Sequence, residues 1–418
     1  MKNRKALTRG IALVVSVLAA LGMVATVLAA VTVTSETKIN SSDAAADDLF
    51  GRVSNSLAVS GLTAVVGAYR ADTPAGVNTG AAYVFTKSGS AWSQEAKLVA
   101  SDAAANDLFG QAVAIEGDVV VIGSYLDDDA GSRSGSAYVF RKVLGVWVQE
   151  AKLTASDAAE ADQFGFSATL SGNVAVIGAN FNDDLGVDSG SAYVFRWNGA
   201  AWVQEAKLLP SDGAAGDQFG GSVAISGNVV IVGAAFANTA DTDAGAVYVF
   251  RWNGTSWVQE AKLQASDGAQ NDWFGFSASV DGDTALVGAF KVRPNNTGAA
   301  YVFRWNGIAW TQEAKLQASD KRKQDSFGFS VDVVGDLAVI GASLGDGNVR
   351  DTGAVYVFQR SGTTWTQEAK LKAFDGQQTD YFGEAVSIYG TTAIVGAPRD
   401  DNFGAESGSA YIYELSVT

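Results

Sequence analysis

One phrase returns seven times along this chain, and this repetition constrains the fold more than any other feature. Each copy opens on Phe-Gly, has Asp two places earlier, and continues into an apolar run that ends in Gly-Ala or Gly-Ser. Successive Phe-Gly pairs are 59, 55, 55, 55, 53 and 55 residues apart, and they begin at Phe50, Phe109, Phe164, Phe219, Phe274, Phe327 and Phe382. A period of this length indicates an array of supersecondary units that bury their faces against one another.

Each repeat contains four short segments rich in Val, Ile, Tyr and Phe with the alternation of β-strands. In the fourth repeat they read GGSVAIS, VVIVGA, AVYVF and WVQEAKL, here named strands A, B, C and D. Gly-containing turns between A and B and between C and D are short enough for hairpins. The sequence therefore predicts an all-β fold, a seven-bladed β-propeller of four-stranded antiparallel blades.

The last repeat lacks its own strand D. It stops at GSAYIYELSVT, whereas the segment Glu36-Thr37-Lys38-Ile39, just before the first repeat, resembles Glu-Ala-Lys-Leu of strand D. We expect this amino-terminal strand to complete the seventh blade, which closes the ring and removes an exposed sheet edge. Residues 31–418 are thus predicted to form a single propeller domain.

The first thirty residues differ from the repeats. MKNRKALTRG is basic, residues 11–30 are mostly apolar, and small residues stand at Ala29 and Ala30. This pattern predicts a secretory signal peptide over residues 1–30, and hence a secreted or cell-surface protein. The alternative is an uncleaved amino-terminal membrane anchor, because the run is long enough to span a bilayer.

Composition excludes several classes of function. Without residues 1–30 the chain carries 25 basic and 45 acidic residues, a formal charge of −20, which argues against binding nucleic acid. That acidity favours divalent cations or basic partners, or serves only solubility. The chain has no Cys and no His, so disulfides, Ser-His-Asp or Cys-His nucleophiles and His-ligated zinc are all excluded.

Phe-Gly at the start of strand A and Gly-Ala at the end of strand B make the repeats resemble the FG-GAP family, found in integrin α-chains and many exported bacterial proteins. The resemblance covers all seven repeats and implies an extracellular adhesion or ligand-binding module. Two departures stand out: the family's Pro occurs once, at Pro398, and tight turns such as Ser226-Gly227-Asn228 stand where integrin-like repeats often carry a calcium loop. Such a turn is too short to surround calcium, so that site is not expected here.

Antiparallel order places the short A–B and C–D turns on one face of the disc and the longer B–C and D–A loops on the other. We expect the longer, more variable loops to form the binding surface. Residues present in every blade are interpreted as scaffold. The Asp before Phe-Gly should satisfy a turn, and the Trp of strand D should pack.

Carboxylates cluster in several B–C loops, where calcium could find oxygen ligands. The candidate residues are Asp127, Asp128, Asp129, Asp183, Asp184, Asp188, Asp241, Asp243, Asp400, Asp401 and Glu406. Their spacing matches no EF-hand pattern. Weak calcium binding is one interpretation, and solvated acidic loops are the other.

The loops of the fifth repeat are basic, whereas those of the other repeats are mostly acidic. Its B–C loop KVRPNN and the following D–A loop are basic, and Trp273 stands at its start. The candidate ligand-binding residues are Trp273, Lys291, Arg293, Lys321, Arg322 and Lys323. Together they predict a patch for a carboxylate or sulfate group of a glycan or protein, with local charge balance as the alternative.

The function most favoured by the sequence is a non-enzymatic binding or adhesion module with an extracellular protein or carbohydrate partner. A propeller-based polysaccharide lyase or hydrolase is an alternative, although no catalytic carboxylate pair stands out. A purely structural envelope protein is a third possibility. No cofactor other than calcium is indicated.

Overall fold

The computed structural model describes residues 30–53, 55–239, 241–293 and 295–417. The predicted signal peptide or anchor falls outside these residues apart from Ala30, so it remains a prediction. Within the described ranges, no helix has the length and apolar character needed to cross a membrane.

The described residues form twenty-eight strands in seven four-stranded sheets. The strands are β1 (Val31–Ile39), β2 (Leu57–Ser60), β3 (Thr63–Ala68), β4 (Ala81–Ser88), β5 (Ala91–Leu98), β6 (Val113–Glu116), β7 (Val119–Ser124), β8 (Ser136–Val143), β9 (Val146–Leu153), β10 (Ser167–Ser171), β11 (Val174–Ala179), β12 (Ser191–Trp197), β13 (Trp202–Leu208), β14 (Ser222–Ser226), β15 (Val229–Ala234), β16 (Ala246–Trp252), β17 (Trp257–Leu263), β18 (Ser277–Asp281), β19 (Thr284–Ala289), β20 (Ala299–Trp305), β21 (Trp310–Leu316), β22 (Phe327–Val334), β23 (Leu337–Ala342), β24 (Ala354–Ser361), β25 (Thr364–Leu371), β26 (Val386–Tyr389), β27 (Thr392–Ala397) and β28 (Ser409–Val417).

Blades 1 to 6 each take four consecutive strands in the order A-B-C-D, from β2–β5 in blade 1 to β22–β25 in blade 6. Blade 7 has the order β26-β27-β28-β1, and β1 pairs antiparallel with β28, with Lys38 opposite Tyr411. The predicted seven-bladed propeller is confirmed, and the amino-terminal strand occupies the strand D position of the last blade.

Each blade buries its B and C strands and turns its A strand toward a central channel. Residues of all seven A strands, such as Ala224 of β14 and Ser279 of β18, line this channel. The apolar core lies between neighbouring blades. Val176 of blade 3 and Val230 of blade 4, for example, are fully buried in one cluster. Every blade therefore packs against both of its neighbours, as expected for repeats that bury their faces against one another.

The two glycines of the repeated phrase meet across these interfaces. A side chain on Gly233, at the end of strand B in blade 4, would overlap the carbonyl oxygen of Gly275, which follows Phe274 at the entry to blade 5. The same contact joins Gly67 with Gly110 and closes the ring between Gly396 and Gly51. The backbones of adjacent blades approach too closely for any Cβ, so only glycine fits at the end of strand B.

A second contact joins blades at their outer edge. Asp157, in the loop after strand D of blade 2, accepts hydrogen bonds from Lys207 Nζ at 2.6 Å and from Tyr193 Oη at 3.0 Å, both in blade 3. Burial alone would raise the pKa of Asp157, but these two bonds outweigh it and lower the pKa. An Asp–Lys pair links each of the seven junctions, at Asp43–Lys97, Asp102–Lys152, Asp157–Lys207, Asp212–Lys262, Asp267–Lys315, Asp320–Lys370 and Asp375–Lys38.

Candidate binding surface on the loop face

The B–C and D–A loops form one face of the disc, here called the loop face. Neighbouring loops are held together by backbone hydrogen bonds. The N–H of Gly216 donates to the carbonyl of Val187 at 2.8 Å, and that of Gln218 to Asp188 at 3.1 Å. The opposite face carries tight A–B turns, in which Gly227 has a φ of 57° and an added side chain would meet open space.

The seven Asp residues before Phe-Gly belong to the scaffold. Asp217 is 4% exposed, and its Oδ2 accepts a hydrogen bond from the N–H of Ala214 at 2.9 Å, which closes the turn. Asp48, Asp107, Asp162, Asp272, Asp325 and Asp380 make the corresponding bond. Burial raises their pKa values, to about 6 for Asp107, Asp325 and Asp380. This supports the interpretation that they satisfy turns.

The Trp residues of strand D also pack. Trp202 is 9% exposed, and its Nε1 donates to Glu150 of the preceding blade at 2.9 Å. Trp257 and Trp365 make the same contact with Glu205 and Glu313. These side chains tie blades together at the outer edge, as expected from their presence in six repeats.

In blade 2 the acidic B–C loop turns toward Lys152. Asp127 is 3% exposed and accepts bonds from Tyr138 Oη at 2.7 Å and Lys152 Nζ at 3.1 Å. Asp129 also pairs with Lys152, whereas Asp128 accepts the N–H of Arg133 at 2.7 Å. All three carboxylates thus have partners within the protein.

Blades 3 and 7 repeat this arrangement. Asp184 pairs with Lys207, and Asp183 accepts the N–H of Asp188 at 2.8 Å. In blade 7, Asp400 is 4% exposed and contacts Lys38 Nζ at 2.7 Å. Asp401 accepts the N–H of Glu406 at 2.8 Å, and the Glu406 carboxylate lies 3.4 Å from Arg399.

In blade 4, the N–H of Asp243 donates to Asn238 Oδ1 at 3.0 Å, and Asp241 accepts the N–H of Thr242 at 2.8 Å. Among the residues with described positions, no three acidic side chains form a group suited to a metal ion. Most of the candidate carboxylates instead contact a lysine, an arginine or a loop N–H group. Calcium binding stays a prediction.

The fifth-blade residues fall into two groups. Trp273, Lys291 and Arg293 line a depression of about 410 Å³ together with Gln270, Asn271 and Asn296. Lys291 Nζ lies 5.0 Å from the Trp273 ring centroid, and Arg293 donates to the carbonyl of Gln270 at 2.6 Å. The indole Nε1 of Trp273 is buried and has no partner in the described part of the chain. This group forms one surface feature, here called the Trp273 depression.

Lys321, Arg322 and Lys323 lie on the next D–A loop and do not line the Trp273 depression. The two loops are neighbours as predicted, since the N–H of Gln324 donates to the carbonyl of Asn295 at 2.9 Å. Lys321 bonds to Gln317 at 2.6 Å, Arg322 pairs with Asp346 of blade 6, and Lys323 is exposed. The basic residues therefore lie on two neighbouring loops, the B–C loop of blade 5 and the D–A loop that follows it.

Sequence reasoning missed a third feature, a recess of about 110 Å³ at the channel mouth on the loop face, here called the mouth recess. Phe166, Phe236, Phe276 and Phe329 line one part, and Asn55, Gln111, Asn180 and Gln218 line another. Gln111, Phe166, Phe276 and Phe329 each follow a Phe-Gly pair directly. Comparing that one position across the repeats would have revealed it, because it varies from repeat to repeat directly after an invariant Phe-Gly.

Comparison with known proteins agrees with this architecture. The family model described as FG-GAP repeat matches seven segments, residues 33–85, 92–140, 147–195, 202–250, 257–303, 310–358 and 365–413. Each segment runs from strand D through strand C of the next blade, so the first includes β1. A comparison with curated proteins gives no match.

Proposed function

Because the chain belongs to the FG-GAP repeat family, whose propellers are generally binding or adhesion modules, we propose that it is an extracellular module that binds a protein or carbohydrate partner through its loop face. The repeated residues hold the blades together, and the loops that differ most between blades lie on this face. A rigid scaffold that presents variable loops is the usual arrangement of a binding protein.

The Trp273 depression carries the proposal. It combines an aromatic ring with two cationic side chains on a strongly acidic protein. Arg293 is exposed and Lys291 is half-buried against aromatic rings, so both lie where a carboxylate or sulfate of a partner could reach them. Charge-assisted hydrogen bonds to such a group would favour anionic partners.

The test is binding of the purified protein to a panel of glycans and extracellular matrix proteins, first with calcium and then with chelator. We expect a saturable ligand whose binding weakens about tenfold or more in the variant Lys291→Ser/Arg293→Ser. The control, Arg133→Ser/Arg350→Ser, removes the same charge from exposed loops of blades 2 and 6 and should have little effect. Equal weakening in both variants would contradict a specific role for the depression.

A further inference from the structure

The mouth recess is lined by side chains that are typical of a binding site. Structural roles of these side chains do not explain why they are there. Asn180 is 3% exposed, lines the recess and has its Oδ1 buried without a hydrogen-bond partner. Leaving a buried acceptor unpaired costs stability, because it loses water and gains nothing in return. The blade 4 equivalent is Ala235, so the fold does not require an amide there.

The recess also has an aromatic wall, formed by Phe236, Phe276 and Phe329. Phe276 lies 4.6 Å from Phe290 and 5.1 Å from Phe329 between ring centroids, and Phe236 lies 5.0 Å from Trp273. Phe236, Phe276 and Phe329 are each partly exposed at the recess. Partly exposed rings that pack against one another form a rigid apolar surface for a ligand.

The recess has room for a small ligand. A cavity of about 10 to 15 Å³ holds one water molecule, whereas the recess has a volume of about 110 Å³. Largely apolar walls with a few amide groups are typical of sites that bind small organic groups and orient them by hydrogen bonds.

The chemistry of the lining selects against charged and purely apolar ligands. None of the described lining residues carries a charge, so an anion would find no counter-ion. A cation would likewise find no counter-ion in this lining. An alkyl chain would leave Asn180 Oδ1 unpaired.

We infer that the mouth recess binds one uncharged sugar ring of a glycan. The C–H face of the ring would pack on Phe276 and Phe329, and the side-chain amides of Asn180, Gln111 and Gln218 would form hydrogen bonds with ring hydroxyls. Amides suit hydroxyl groups because they both donate and accept. This inference rests on the proposed function and names the ligand class at a site separate from the Trp273 depression.

The test is saturation-transfer NMR of the purified protein with glucose, galactose, mannose, N-acetylglucosamine and N-acetylgalactosamine. We expect at least one sugar to bind with a dissociation constant of about 1 mM, in the weak range of small ligands. Asn180→Leu and Phe276→Leu should each weaken binding about tenfold or more. Phe403→Leu, an exposed aromatic on the same face outside the recess, should leave it unchanged.

A stability measurement separates lost binding from misfolding. Since Asn180 Oδ1 has no partner, Asn180→Leu should keep or raise the unfolding midpoint while weakening sugar binding. Asn182→Leu should lower it, because Asn182 accepts a bond from Ser191 at 2.8 Å.

The inference is overturned if none of the five sugars binds, or if Asn180→Leu leaves sugar binding unchanged. It is also overturned if a peptide or an amine binds in the recess in their place. If Lys291→Ser/Arg293→Ser weakens binding of a panel ligand while none of the five sugars binds, the proposed function stands. Only the sugar site is then ruled out.

Discussion

Lys38 of β1 lies 2.7 Å from Asp375 and so joins the amino-terminal strand to the loop that enters blade 7. The same Nζ lies 2.7 Å from Asp400, which is buried. Six other junctions carry an equivalent lysine from a strand D that is continuous with its own repeat. Among the Asp–Lys pairs at the described junctions, only Lys38–Asp375 joins segments from the two ends of the chain.

Lys38→Met should destabilise the protein more than Lys97→Met does. Removing Lys38 leaves the buried Asp400 without its cation, which costs about 3 kcal/mol. Lys97 pairs with the half-exposed Asp43, a contact worth about 1 kcal/mol or less. Urea unfolding of both variants measures the difference. Equal losses would show that ring closure does not depend on Lys38.

The contact between glycines predicts a sharp contrast within one blade. Gly233→Ala should destabilise by about 3 kcal/mol or prevent folding, since its Cβ would overlap the carbonyl oxygen of Gly275 and separate blades 4 and 5. Gly227→Asn, in the open A–B turn of the same blade, should cost about 1 kcal/mol or less, because Asn tolerates positive φ. Thermal unfolding distinguishes them, and similar midpoints would contradict the close approach.

The raised pKa of Asp380 predicts that its contribution to the free energy of unfolding falls as pH rises. Burial raises the pKa of Asp380 to about 6, so the folded state holds this proton more tightly than the unfolded chain, and stability declines between about pH 4 and 6. Asp380→Asn keeps an acceptor for the N–H of Gln377 and should flatten that decline, with a gain on the order of 1 kcal/mol at pH 7.

Asp375 provides the control of opposite sign. Burial is outweighed by bonds from Lys38 and Tyr411, and the pKa of Asp375 is lowered. Its contribution is therefore present above about pH 4 and lost as pH falls further, so Asp375→Asn should reduce stability at pH 7. Chemical unfolding from pH 3 to 8 tests both. Parallel pH profiles for the two variants would refute this account.

The blades were predictable because local residues determine them. Phe-Gly, the Gly-Ala ending of strand B and the alternating strands recur at a fixed period, and the leftover Glu36–Ile39 segment identified the closing strand. The lysine contacts were not predictable. Lys152 reaches Asp127 and Asp129 across its own blade, and no single-repeat pattern shows which carboxylates a lysine will contact.

The mouth recess was hidden for a related reason. Its lining is contributed by six blades, mostly from a few positions that recur in each repeat. A scan along the chain separates Gln111 from Phe276 by three repeats, whereas the closed ring brings both to the channel mouth. Ring geometry is needed before such positions can be grouped.

Calcium binding at the acidic B–C loops makes a prediction that involves Lys152. If calcium binds in blade 2, it must compete with Lys152 for Asp127 and Asp129. Lys152→Met should therefore raise calcium affinity about tenfold, measured by isothermal titration calorimetry. Lys315→Met is the control, since the B–C loop of blade 5 has no carboxylate. No calcium binding to either the parent protein or Lys152→Met would end the calcium hypothesis.

Hydrogen exchange with a saturating ligand from the glycan and matrix-protein panel shows which face of the disc binds. We expect slowed exchange in the loops around residues 270–276 and 289–298 of the loop face, with the turns at 226–229 and 253–257 unchanged. Protection centred on those turns would contradict binding through the loop face.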